Sequence, residues 1–83
     1  MYELRIPQWI RKFIKKLPEK YRQSAIKALT DIKSSPNVGK KLKRELKEFY
    51  SYQFGPYRFM YKVDEKSRVV EIIKLDHRRT IYN

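Results

Sequence analysis

Two periods alternate along the chain. Residues 2–6 set Tyr2, Leu4 and Ile6 between Glu3 and Arg5, an alternation that predicts a short half-buried strand. From Pro7 the repeat lengthens. Trp9, Ile10, Phe13, Ile14 and Leu17 share one helical stripe, with Arg11, Lys12, Lys15 and Lys16 on the wet side. Pro7 suits the first turn of that helix, where its missing N–H costs nothing, and Pro18 interrupts it, because the residue before a proline disfavours helical geometry. A second amphipathic stretch carries Tyr21, Ala25, Ala28, Leu29 and Ile32 on one face and stops at Ser34-Ser35-Pro36-Asn37. Residues 38–47 (VGKKLKRELK) follow neither period. Leu42 and Leu46 are spaced as on a helix, whereas Gly39 and five cations favour a loop or short turn, so the segment's type stays open.

Thereafter the texture turns to Tyr, Phe, Val and Ile. Residues 49–54 are aromatic-rich, Gly55-Pro56 breaks the run, and Tyr57, Phe59, Tyr61 and Val63 alternate with Arg58, Met60 and Lys62. Asp64-Glu65-Lys66-Ser67 reads as a hairpin turn, residues 68–75 (RVVEIIKL) as another strand, and the chain ends in DHRRTIYN. The expected fold is α+β: an N-terminal strand, a two-helix hairpin and a three-stranded antiparallel meander, forming one sheet with helices on one face. With 83 residues and no linker or repeat, residues 1–83 read as one domain.

Composition narrows the function. Hydrophobic residues at 41% and aromatics at 14% are too many for a disordered basic tail. No apolar run approaches the roughly 20 residues of a membrane span, and the N-terminus lacks a secretory pattern, so a soluble cytoplasmic domain is expected. The absence of cysteine excludes disulfides, a thiolate nucleophile and a Cys-based zinc site, and one histidine excludes a His-rich metal site. The net charge of +12 points to a polyanion or an acidic partner. It is unevenly spread: residues 1–47 carry +10 and residues 48–83 only +2, so the first half supplies the field and chemistry in the second rests on a few placed cations.

Period two assigns those cations. If Tyr57, Phe59 and Tyr61 face the helices, Arg58, Met60 and Lys62 face the open side of the sheet. Arg58 is then a fixed guanidinium in mid-sheet, or an ordinary surface arginine paired with Glu71 across the hairpin. His77, Arg78, Arg79 and Tyr82 follow the last strand, where side chains of neighbouring strands can converge. His77 is placed to move protons near neutral pH, or is a satisfied surface residue beside Asp76. Tyr82 can pack on the core or stack on a base, and of Tyr50 and Tyr52 one is expected on the open surface. No Gly-x-Gly-x-x-Gly, Walker loop, His-Glu-x-x-His or Gly-x-Ser-x-Gly occurs, and Asp64 and Glu65 sit in a turn, so a nuclease built on this chain works without metal or other cofactor.

LKRELKEFYSYQFGPYRFMYKV followed by VVEIIKLDHRRTIYN resembles the RelE/ParE superfamily of type II toxin–antitoxin toxins. The hallmarks are Gly55-Pro56-Tyr57-Arg58-Phe59-Met60-Tyr61 and His77-Arg78-Arg79-Thr80-Ile81-Tyr82, and the resemblance covers essentially the whole chain. It implies a toxin with a concave sheet face, wrapped by a small acidic antitoxin, and, for RelE-like members, metal-independent mRNA cleavage in the ribosomal A site. By the same resemblance Arg58 contacts the scissile phosphate and Arg78 is the second functional arginine. Tyr82 orients the mRNA base and His77 assists proton transfer. Lys40, Lys41, Lys43, Arg44, Lys47, Tyr52 and Arg79 complete the expected RNA-binding set, and the basic helices meet ribosomal RNA through its phosphates. The pattern departs from RelE-like nucleases on the strand before the hallmark, where Tyr50, Ser51, Tyr52 and Gln53 stand in place of basic residues and leave the general base unassigned. ParE-like members share the scaffold and poison DNA gyrase, which keeps gyrase as an alternative target; an inactive module that binds only antitoxin or nucleic acid is the other alternative.

Overall fold

The computed structural model describes residues 2–42 and 49–77. In chain order these form β1 (Glu3–Arg5), α1 (Gln8–Lys15), α2 (Glu19–Ser34), a 3-10 turn (Pro36–Val38), β2 (Lys40–Lys41), β3 (Phe49–Phe54), β4 (Tyr57–Asp64) and β5 (Val69–His77). The five strands make one sheet in the order β1-β5-β4-β3-β2. All neighbours run antiparallel except β1, which lies parallel to β5 with Leu4 beside Val70. The expected α+β class holds, with one addition. The open segment contributes a two-residue edge strand, with Lys40 opposite Ser51 and Lys41 opposite Tyr50.

Both helices start from prolines. The Pro7 carbonyl accepts from the Ile10 and Arg11 N–H groups, each at 3.1 Å, and the Pro18 carbonyl accepts from Tyr21 and Arg22, each at 2.9 Å. Each proline stands just before the first helical residue, where its fixed φ costs nothing and its carbonyl satisfies otherwise orphaned donors. The core lies between helices and sheet. Ile10, Ile14 and Leu17 from the first helix region meet Ala25, Ala28 and Ile32 from α2 over Phe54, Phe59, Tyr61, Val63, Val70, Ile72 and Leu75. Trp9 and Phe13, expected in the buried stripe, are instead 50% and 39% exposed. The line 10-14-17 takes the sheet-facing side, and positions 9 and 13 sit about 100° behind it.

The turn chemistry is local. Gly55 adopts φ +54 at the first position of the two-residue β3–β4 turn, a conformation glycine reaches without strain. In the β4–β5 turn the Asp64 carboxylate accepts from the backbone N–H groups of Lys66 and Ser67 at 3.1 and 3.3 Å. A β-bulge interrupts β5: Tyr61 pairs with Ile72 but Met60 pairs with Lys74, leaving Ile73 as the extra residue. Val70, Ile72 and Leu75 therefore all face the core, which strict alternation forbids.

Candidate functional site

Arg58 is on β4, the central strand of the sheet. Phe59 and Tyr61, fully buried, turn toward the helices, so Arg58, Met60 and Lys62 occupy the opposite face. The tight turn fixes Arg58's neighbours. Gln53 of β3 lies directly opposite it, and Asp76 of β5 flanks it on the other side. The Gln53 Oε1 accepts from Arg58 Nη2 at 3.4 Å, and Gln53 Nε2 donates to the Gly55 carbonyl at 3.3 Å. The Arg58 Nε is shielded from solvent, so the guanidinium is a held group rather than a swinging one. The surface-arginine reading pairs it with Glu71; the register instead sets Glu71 opposite Lys62.

A groove of about 310 Å³ opens over this position, lined by Lys40, Ser51, Tyr52, Gln53 and Arg58. Lys40 reaches the face because β2 pairs it with Ser51, which itself pairs with Met60. What positions Lys40 is a buried phenol. The Tyr61 hydroxyl donates to the Pro36 carbonyl at 2.5 Å and accepts from the Gly39 N–H at 3.1 Å. Burial pushes that phenol up to about 12, the Gly39 bond opposing the shift. Gly39 is required at this approach, since a Cβ there would collide with the Tyr61 hydroxyl and the Ser51 carbonyl. The groove thus presents a guanidinium with Asp76 beside it, a lysine and neutral hydrogen-bonding groups, and the two cations suit a phosphodiester. Among the described residues no three His, Cys, Asp or Glu side chains gather as metal ligands.

The sequence model of the family described as "ParE toxin of type II toxin-antitoxin system, parDE" matches residues 4–82. The chain is 35% identical to Toxin RelG of Mycobacterium tuberculosis over 83 residues, covering 98% of this chain and 95% of that one. The chain belongs to the RelE/ParE superfamily. It is a RelE-like toxin of a type II toxin–antitoxin system. Its fold is similar to the toxin–antitoxin complex RelBE2 of M. tuberculosis, at TM-score 0.75 and 33% identity over 93% of this chain and 98% of that chain. It also resembles the isolated E. coli RelE toxin in fold, at TM-score 0.76 and 24% identity over 93% of this chain and 84% of that one.

In this toxin the expected site residues divide. Arg58 and Lys40 come together in the groove. His77 does not join them: it pairs with Tyr57 and sets its ring edge-on to that tyrosine at 5.5 Å, on the helix side, while Asp76 takes the place beside Arg58. The bulge at Ile73 is the cause, since it reverses the facing of every residue after it. Neither Tyr50 nor Tyr52 faces the open surface, contrary to expectation. Tyr50 stacks on Tyr61 with centroids 5.5 Å apart, and the Tyr52 hydroxyl donates to Asp31 of α2 at 3.2 Å. Burial, then the bond to Asp31, raises the Tyr52 phenol, and the Lys27 ammonium holds the Asp31 carboxyl below its ordinary value. Lys41 pairs with Tyr50 and lines a separate groove at the other end of β4. Lys43, Arg44, Lys47, Arg78, Arg79 and Tyr82 lie outside the described residues. Sequence reasoning missed Gln53 and Asp76 as Arg58's neighbours. Gln53 was within reach, because a two-residue turn at Gly55-Pro56 dictates that pair.

Proposed function

We propose that this toxin is a metal-independent endoribonuclease that cuts mRNA on the ribosome in the cytoplasm and is held inactive by a small acidic antitoxin. The observation that carries the reading is the held guanidinium of Arg58 in an open groove, with Gln53 behind it and Lys40 across the strand. In such a cut the 2′-oxygen loses its proton and attacks the adjacent phosphorus, and the 5′-oxygen leaves and takes up a proton. The phosphorane carries the extra negative charge, and Arg58 stabilises it more than it stabilises the ground state. Lys40 holds a neighbouring phosphate oxygen. Arg78 and Tyr82 are assigned by the family resemblance to the second cation and the base-orienting ring. His77, on the helix side, is not the base for the 2′-OH at the Arg58 phosphate. An antitoxin partner is supported by solved relatives that are themselves toxin–antitoxin complexes, from M. tuberculosis, from Pyrococcus horikoshii and from E. coli, and by the net charge of +12.

One feature favours a second reading. The open face of β3 next to Arg58 offers Ser51 and Gln53 and no base of suitable pKa, as a gyrase-directed member would have it. The deciding experiment is mRNA cleavage on programmed ribosomes with wild type, Arg58→Ala and Arg78→Ala. Site-specific cuts lost in both variants support the nuclease. Intact mRNA from a wild type that still arrests growth, together with trapped gyrase cleavage complexes, would replace it by the gyrase reading.

A further inference from the structure

The bulge at Ile73 does more than turn His77 away from Arg58. Strict alternation from Val70 and Ile72 would send Lys74 and Asp76 to the helix side. The extra residue instead sets Lys74 beside Met60 and Asp76 beside Arg58, on the open face. Directly opposed residues of antiparallel neighbours carry their Cβ atoms about 5 Å apart, so the Asp76 carboxylate borders the Arg58 site. Asp76 is half-buried, and among the described residues its carboxylate accepts no hydrogen bond and joins no ion pair. The Arg58 Nη2 donates toward the other flank, to Gln53.

A carboxylate in this place repels the phosphate that Arg58 and Lys40 attract, so a contribution to rate separates cleanly from one to affinity. It is also able to take a proton. Of the other described residues around Arg58, Ser51 and Gln53 are not bases, and Lys40 and Lys74, as ammonium groups, only donate. His77 lies on the helix side, and Glu71 sits beside Lys62, four residues and so about 13 Å along β4 from Arg58.

We propose that Asp76 is the general base of the cut, accepting the 2′-OH proton beside the phosphate held by Arg58. This inference rests on the nuclease reading above and supplies the base that the open face of β3 lacks. The attacking 2′-oxygen stands about 3–3.5 Å from phosphorus as the step begins, which brings its proton within reach of a carboxylate next to the guanidinium. The O2′–H bond breaks toward Asp76, the O2′–P bond forms and the P–O5′ bond breaks. The 5′-oxygen takes a proton from solvent and Asp76 returns its own to solvent, leaving a 2′,3′-cyclic phosphate and a 5′-hydroxyl.

Single-turnover cleavage on programmed ribosomes, with affinity measured alongside, tests the assignment. Asp76→Asn, uncharged and of the same shape, should lose about a hundredfold or more in rate. Its affinity for programmed ribosomes should stay level or rise up to about threefold, because a repulsive charge is gone. Asp76→Glu should recover at least about tenfold of the lost rate. With hydroxide as the remaining base, the residual rate of Asp76→Asn should climb about tenfold per pH unit between about pH 6 and 8, more steeply than wild type. The charged groups facing Asp76 are Arg58 on β4 and Lys74 on its own strand, with Lys40 beyond Ser51. Lys74→Ala leaves the carboxylate in place and should keep the wild-type pH slope. Circular dichroism checks folding, and Asp76→Ser carries the same comparison if the asparagine variant does not fold. An asparagine rate within about threefold of wild type would overturn the assignment and leave the nuclease standing. So would a rate loss matched by an equal loss of affinity, or a glutamate variant no faster than the asparagine one. A wild type that leaves mRNA intact removes the nuclease reading itself, and the base with it.

Discussion

Removing one oxygen atom should both loosen the site and change how the fold responds to alkali. Tyr61→Phe keeps the fully buried ring but deletes the hydroxyl that bridges the Pro36 carbonyl and the Gly39 N–H. A buried polar group left without its partner costs about 1–3 kcal/mol. Pro36 is buried and Gly39 only half-buried, so water can replace one of the two lost bonds. The expected loss at neutral pH is about 2 kcal/mol, or roughly 10 °C in Tm for a domain of this size. The phenol also carries a pH signature. Its native value of about 12 lies above the ordinary 10.0, so the native state favours the protonated form. That contribution is complete below pH 10 and disappears as pH rises through 12, removing about 2–3 kcal/mol from the wild type and nothing from the variant. Urea unfolding followed by circular dichroism, for both proteins between pH 7 and about 12, gives the stability difference directly. Other tyrosines and lysines titrate in both proteins and largely cancel. The difference should shrink toward zero at the alkaline end. A difference that is flat with pH, or below about 0.5 kcal/mol at neutral pH, would refute the bridging role.

Further outcomes follow from the same geometry. Gly39→Ala should destabilise by about 1–3 kcal/mol in thermal melts, because the added methyl must displace the Tyr61 hydroxyl or the β3 backbone; a neutral result would mean that the segment shifts freely. Arg58→Lys should retain the fold, with Tm within a few degrees, yet lose about tenfold or more of mRNA cleavage in the ribosome assay, since an ammonium cannot reproduce the forked donor set. His77→Ala should change the cleavage rate less than about threefold, because its ring packs against Tyr57 on the helix side; a loss of a hundredfold would show that His77 reaches the phosphate after all.

Much of the fold was legible in residue order. The Pro7 helix start, the break at Pro18, the residues 49–54 strand, the Gly55-Pro56 turn and the alternation of β4 all follow from short-range chemistry that a local window contains. The two-residue strand at Lys40 was not, because its residues have no strand propensity of their own. They pair with β3 beside Gly39, whose N–H is bound by the Tyr61 hydroxyl from more than twenty positions away. Asp76 as a neighbour of Arg58 was hidden for a similar reason.

By itself the sequence determined the class of fold, the superfamily, the basic field and the placement of Arg58 on the open face of a strand. Each is set by composition, by periodicity or by a short motif. Tertiary structure decided what stands beside Arg58. A strictly alternating β5 with Val70 and Ile72 in the core would send Leu75 outward and put His77 on the arginine's face. Burying Leu75 under the helices requires the extra residue at Ile73, and that one-residue slip puts the exposed His77 on the helix side beside Tyr57 and Asp76 on the arginine's face. Local propensity is nearly indifferent to the bulge. The packing of a leucine against a core that spans the whole chain is not.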